Sequence, residues 1–332
     1  MAIFNSVRAY IYIYEGLQGV YNNDNLKYRI TKDRLPIHED AVIEIGEMVS
    51  DYLSQSYNGT VYNTSPLWVT VVAAFYDDVG VELNNSPKTY NYLALDGYGY
   101  FEEGINPELS TVVLQSNNTI YLEEGSAATI PIWAEETPTI LVYNSSNVLS
   151  QTLNITDTGF SNQKVQYITL PTGTSKVIVD GVSEEKTINI IEVCENIYTP
   201  YRVTFLNRYG ALQTITFFKK SNESMGIKDE TFKGNILNVN NRNYSISEGQ
   251  KTRYNINAQD TITLNTGYVE EDYNKVIEEL LLSQKTWINY EGKTLAIIPK
   301  TKSMQYKTDI NDGLINYTLS FDFAYDKVNL IR

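Results

Sequence analysis

Short runs of alternating apolar and polar residues, separated by clusters of Asn, Gly, Pro and Ser, recur along almost the whole chain. Alternation is the period of a half-buried strand, because successive side chains leave a strand on opposite faces. The clearest example is 198–220, YTPYRVTFLNRYGALQTITFFKK. Two runs, Tyr201–Leu206 and Leu212–Phe218, flank Asn207-Arg208-Tyr209-Gly210, and an Asn-to-Gly turn between such runs predicts a hairpin. In the second run Leu212, Thr214, Thr216 and Phe218 face one way, and Gln213, Ile215 and Phe217 the other. Neither face is wholly polar, so the hairpin is expected to lie in a sandwich or beneath a neighbouring element.

Upstream, the pattern predicts strands over Val7–Tyr14, Leu26–Thr31, Leu67–Tyr76 and Thr89–Leu95, with Leu67–Tyr76 central because it is the most apolar. Ala41–Ile45 starts as a strand and runs into a short helix, since Met48, Val49, Tyr52 and Leu53 take helical spacing. Beyond a linker at Tyr98–Gly104 come short strands at Val112–Leu114, Thr119–Leu122, Ala128–Trp133, Thr139–Tyr143, Val148–Ile155, Lys164–Leu170, Lys176–Val179 and Thr187–Val193. After the hairpin, Ser221–Lys228 reads as a loop. Thr231–Val239, Asn243–Ile246, Thr252–Ile256, Thr261–Thr266, Thr286–Tyr290, Thr294–Pro299 and Ile315–Phe323 read as strands. In the last of these Ile315, Tyr317, Leu319, Phe321 and Phe323 share one face. Glu270–Ser283 differs: Tyr273, Val276, Ile277, Leu280 and Leu281 repeat at helical spacing behind acidic residues that favour a helix N-terminus. The expected fold is mainly β, with multiple β-sandwich modules and one short C-terminal helix packed on a sheet. The expected domains are 1–100, 101–190 and 191–332.

Composition and charge sharpen this picture. The 27 Tyr and 33 Asn among 332 residues suit strands and the turns between them. The same residues suit contact surfaces, where Tyr offers rigid amphipathic area and Asn adaptable hydrogen bonds. The net charge of -14 is confined to the front part. Residues 1–190 hold 9 Lys and Arg against 23 Asp and Glu, while 191–332 hold 17 of each sign. An acidic surface argues against a nucleic-acid track, which needs clustered cations. One cysteine excludes an intramolecular disulfide framework. MAIFNSVRAYIYIY lacks the charged and apolar regions of a signal peptide, and no run reaches the length of a membrane span, so a soluble protein made in a cytoplasm and not exported by the ordinary route is expected.

Candidate chemistry is sparse. Walker A, Rossmann, HExxH and nucleophile-elbow patterns are absent, and no cofactor is expected. His38 is the single histidine and reads as a surface residue beside Glu39 and Asp40. Cys194 reads as a small buried hydrophobe, because nothing near it in sequence would stabilise a thiolate. The pairs Asp77-Asp78, Glu102-Glu103, Glu123-Glu124, Glu135-Glu136 and Glu184-Glu185 contain the two carboxylates a glycosidase requires, yet adjacent acids at turns are more simply solvated surface. A calcium site would draw on Asp157, Asp180 or Asp96 with loop carbonyls, without EF-hand spacing. Tyr98, Tyr100 and Phe101 form either a sugar-stacking platform or, more simply, a linker packed on a neighbour. Arg208 and Tyr209, at the hairpin tip, are contact candidates because both residue types are enriched in hot spots. The competing reading makes them turn residues that cover a sheet edge.

The opening strand, AVIEIGEMVSDYL (Ala41–Leu53), PLWVTVVAAFYDD (Pro66–Asp78), the hairpin and the closing INYTLSFDFAYDKVNLIR together resemble virion structural proteins of tailed phages that infect Bacteroidetes, crAss-like phages among them. The resemblance spans most of the chain and is one of layout and phrasing. It implies a non-enzymatic ring or hub component of the tail, assembled from copies of itself and other tail proteins. It supplies no catalytic residue. In a tail channel, the acidic part would let DNA pass close by without specific binding. A carbohydrate-binding adhesin and, more remotely, a polysaccharide-acting enzyme are the alternatives. The first would present an exposed aromatic platform near Tyr98–Phe101 or Trp133.

Overall fold

The computed structural model of the protein describes residues 4–35, 40–84, 86–104, 109, 111–237, 240, 243–306 and 314–328. His38 and Glu39 lie outside them. The fold is mainly β, with several sheets and one short C-terminal helix near a sheet. Two compact units divide the chain: Met1–Glu192 with Leu206–Thr214, and Val193–Phe205 with Ile215–Arg332. The tip of the hairpin thus belongs to the first unit and its base to the second. No helix among the described residues is long and apolar enough to cross a membrane.

The first unit begins with β1 (Ser6–Tyr14), β2 (Leu26–Asp33), α1 (Gly46–Ser50), β3 (Ser54–Tyr57), β4 (Tyr62–Ser65), β5 (Leu67–Tyr76) and β6 (Lys88–Ala94). An antiparallel sheet runs in the order β2-β1-β5-β6, with β1 and β5 in continuous register from Ser6↔Tyr76 to Tyr14↔Trp68. Alternation in β1 buries Val7, Ala9, Ile11 and Ile13. Ile11, Ile13, Leu67 and Val69 pack with Val49, and Ile45, Met48 and Leu53 from around α1 join them. A short helical segment therefore helps to close this apolar face.

Next come β7 (Thr119–Glu123), β8 (Thr129–Trp133), β9 (Thr139–Asn144), β10 (Leu149–Asn154), β11 (Val165–Thr169), β12 (Thr174–Asp180) and β13 (Glu185–Val193). Five of them form a sheet in the order β10-β9-β12-β13-β7, and β11 pairs with β8. One core joins the two sheets: Ile130 and Ile132 of β8 lie among Ile140, Val142, Val177, Val179, Ile188 and Ile190. Polar contacts link this pair to the first sheet. The Asn162 side-chain amide donates to the Pro66 carbonyl at 2.6 Å, and the Trp68 indole N–H donates to the Phe160 carbonyl at 3.0 Å.

The rest of the chain supplies β14 (Tyr201–Leu206), β15 (Leu212–Phe217), β16 (Lys219–Lys233), β17 (Lys251–Asn265), β18 (Val269–Glu270), α2 (Tyr273–Leu282), β19 (Thr286–Tyr290), β20 (Lys293–Pro299), β21 (Leu314–Ile315) and β22 (Thr318–Phe323). Their main sheet has the order β15-β14-β19-β20-β22-β17-β16. Tyr273, Val276, Ile277 and Leu280 of α2 are buried on one stripe. The Tyr317 hydroxyl donates to Asn274 Oδ1, fastening the helix to the connection before β22.

The structure corrects several sequence expectations. Ala41–Ile45 forms no strand, and Val112–Leu114 contributes only an isolated bridge at Val113. Ser221–Lys228 is strand, not loop: it lies within β16, which pairs with β17 over almost its whole length. Its polar composition hides it, because it has no buried face to impose apolar alternation. Conversely, Asn243–Ile246 is not strand. The closing run breaks at Asn316-Tyr317, although all five of its alternating side chains are buried as expected. Cys194 is exposed, not buried, since it stands just beyond the end of β13 where the chain leaves the sheet.

Candidate functional site

The hairpin tip sits in a cradle built from the first unit. Gly210 adopts φ +74°, which the turn requires, and a Cβ there would stand 3.0 Å from the Asp96 backbone. Opposite it, a Cβ on Gly97 would come within 2.6 Å of the Arg208 carbonyl oxygen. Two backbones thus meet where both must lack side chains. The Tyr98 N–H donates to that Arg208 carbonyl at 2.8 Å.

Buried amides hold the tip from beneath. Asn207 is fully buried, and its side-chain amide donates to the Leu114 carbonyl at 2.7 Å and to Gln213 Oε1 at 3.1 Å. Its Oδ1 accepts the N–H groups of Tyr209 and Ala211. Gln213 passes the chain of bonds on to Asn117 Oδ1 at 2.8 Å. The Leu212 N–H donates to the Tyr167 hydroxyl at 2.8 Å, and Tyr62 stacks on Tyr167 with centroids 5.1 Å apart while bonding Thr214 through its hydroxyl. Burial pushes both phenols up to about 12, so they remain protonated hydrogen-bonding groups at neutral pH. Ala211 completes the seat by packing with Leu114, Trp133 and Val165.

On top of this seat, four of the five residues singled out in the sequence come into direct contact. The Arg208 guanidinium donates to Glu103 Oε1 at 2.7 Å and lies 4.8 Å from the Tyr100 ring centroid and 5.6 Å from that of Tyr209. Tyr98 meets Tyr100 edge to face, 5.8 Å apart at 89°. Phe101 is wholly exposed beside them, at the start of a short 3-10 turn ending at Glu103. The Arg208 hydrogen bond, opposed by burial, holds the Glu103 carboxyl below its ordinary value. For Arg208, burial disfavours the charge, but the bond to Glu103 and the neighbouring phenols outweigh it and raise its pKa. A cation clamped between a carboxylate and aromatic faces is a pre-organised contact group.

The geometry is less suited to sugar stacking. Tyr98 and Tyr100 are perpendicular and half-buried, so they offer no shared flat platform. Trp133 is buried with Leu114 and Val165. Several of the acidic side chains act as local staples. Glu136 accepts from the Ser183 N–H and hydroxyl, Glu184 from the Val112 N–H, and Asp77 from the N–H groups of Val79 and Val81. Glu135 and Asp157 both engage the ammonium of Lys164, which is buried. A protein cation therefore occupies the Asp157 carboxylate considered above for calcium. Among the described residues, no group of three or more His, Cys, Asp or Glu side chains could hold a metal ion.

The amides of Asn207, Gln213 and Asn117, with Gly97, are the parts of this site that sequence reasoning missed. The sequence shows Asn207 and Gly97 only as turn residues and Gln213 only as a polar residue inside LQTITFF. Comparison with models of known protein families finds no match, and neither does comparison with curated proteins.

Proposed function

We propose that the protein is a structural component of a tailed-phage virion, a ring or hub protein of the tail that assembles with copies of itself and with other tail proteins. The observation that carries this reading is the wholly exposed Phe101 beside the Arg208–Glu103–Tyr100 clamp. An apolar anchor next to a fixed guanidinium is the arrangement that dominates binding energy at protein interfaces. Glu103 is engaged by Arg208, and Glu136, Glu184 and Asp77 hold loops, which favours contact over chemistry. The likeness in layout to virion proteins of phages infecting Bacteroidetes supports the same reading. Mass spectrometry and electron microscopy of purified particles test it: the protein should be present at a fixed copy number in the tail. Finding it only in the free, non-particle fraction would discard the proposal. Combining Phe101→Ala with Arg208→Glu should leave the purified chain folded, as judged by circular dichroism, while reducing its incorporation into particles at least severalfold.

A further inference from the structure

The antiparallel pair β16–β17 outruns the sheet that carries it. β22 pairs with β17 only over Thr261–Asn265. Among the described residues, the last contact from that side is at Ala258 and Asn257, where the Lys327 N–H donates to the Ala258 carbonyl and the Val328 N–H to Asn257 Oδ1. Farther out, from Glu230↔Tyr254 to Lys233↔Lys251, the described ladder joins these two strands alone, and the Gly234 N–H bonds the Gln250 carbonyl beyond it. A two-stranded ribbon without a covering layer is only marginally stable in water.

Its side chains are not those of a solvated ribbon. Register places Met225 and Ile227 on the same face as Ile262, whose side chain is buried in the core, and Ile256 follows on that face. After the irregularity between Lys228 and Glu230, where Asn255 takes φ +50°, Phe232 and Tyr254 meet edge to face on the other side. Met225, Ile227, Phe232, Tyr254 and Ile256 are each about half exposed, at 46–55%. Lysines and a bulge are common protections for an edge strand, but they do not account for five exposed large apolar side chains.

We infer that this ribbon is a docking arm, and that its occupant is the acidic 1–190 surface of a second copy of the same chain. Charge selects the occupant. Within Met225–Lys233 and Lys251–Ala258 stand Lys228, Lys233, Lys251 and Arg253 against Asp229 and Glu230, and Arg253 already pairs with Asp229 at 2.9 Å. Residues 1–190 carry 23 acidic side chains against 9 basic ones, so every copy supplies the complementary field. An arm that docks on a different patch of the next copy makes a heterologous contact, the kind that closes into a ring. This inference rests on the reading of the protein as an assembly component.

The test mixes isotopically labelled and unlabelled full-length protein, joins them with a zero-length carbodiimide cross-linker, and follows association by sedimentation. Cross-links between differently labelled copies, from Lys228, Lys233 or Lys251 to carboxylates within 1–190, are expected, with association that weakens as salt rises. Converting those three lysines together to Glu should weaken association by about tenfold or more, as loss of a hot spot does. Ile227→Ser with Phe232→Ser, on opposite faces, should do the same and guards against misfolding of either variant alone. Wild-type protein that stays monomeric, cross-links confined to one copy, or variants that associate as tightly as wild type would overturn the arm's assignment. Presence in the virion is decided separately by particle analysis, so that reading can survive the loss of this one.

Discussion

At the scale of single residues, two side chains carry disproportionate weight. Asn207 satisfies four polar groups at once in a fully buried position. Asn207→Ala would strand the Leu114 carbonyl and the Tyr209 and Ala211 N–H groups, and should cost about 2–4 kcal/mol, read by urea denaturation. Asp157 is the second. The Lys164 hydrogen bond holds its carboxyl below the ordinary 3.8, against a smaller opposing effect of burial. A carboxyl with a lowered folded-state pKa stabilises the fold fully above its unfolded value, and the contribution is lost as pH falls through the folded one. Stability should therefore decline below about pH 4, and Asp157→Asn should flatten that decline in urea midpoints measured against pH. In the sequence, Asn207 was visible as a turn residue, whereas its inward-facing amide was not. Turn propensity says nothing about which buried carbonyl lies within reach.

Elements differ in how plainly they were written. α2 was legible because its stripe of Tyr273, Val276, Ile277 and Leu280 must be apolar to be buried, and burial decides most of a short helix's stability. Ile277→Ala should accordingly cost about 2–5 kcal/mol by thermal or chemical unfolding. β5, β14 and β19 were equally plain, each with at least one face committed to the core. The Ser221–Lys228 part of β16 was illegible for the complementary reason. Its pairing comes from backbone hydrogen bonds to β17, which any sequence can make, so its composition resembles a loop. The short hairpin of β3 and β4 carries no clear sequence signal either, being only four residues a side and largely polar.

For the whole molecule, the charge asymmetry has a direct consequence. Residues 1–190 hold the entire surplus of negative charge, so the protein should not retain duplex DNA at physiological salt in a mobility-shift or anisotropy measurement. Salt-sensitive DNA binding would contradict that expectation and the picture of a channel that lets DNA pass. Sequence alone determined the β class, most strands with a buried face, the C-terminal helix and the acidic front. All of these are properties of composition and of short periods in the chain. Only the tertiary structure decided that the hairpin tip, Leu206–Thr214, belongs with the first unit. It alone set Arg208 against Glu103 and Tyr100, residues more than a hundred positions apart. Periodicity reports which face of an element is buried. It does not report what buries it, because that depends on shape and hydrogen bonding between segments distant in sequence.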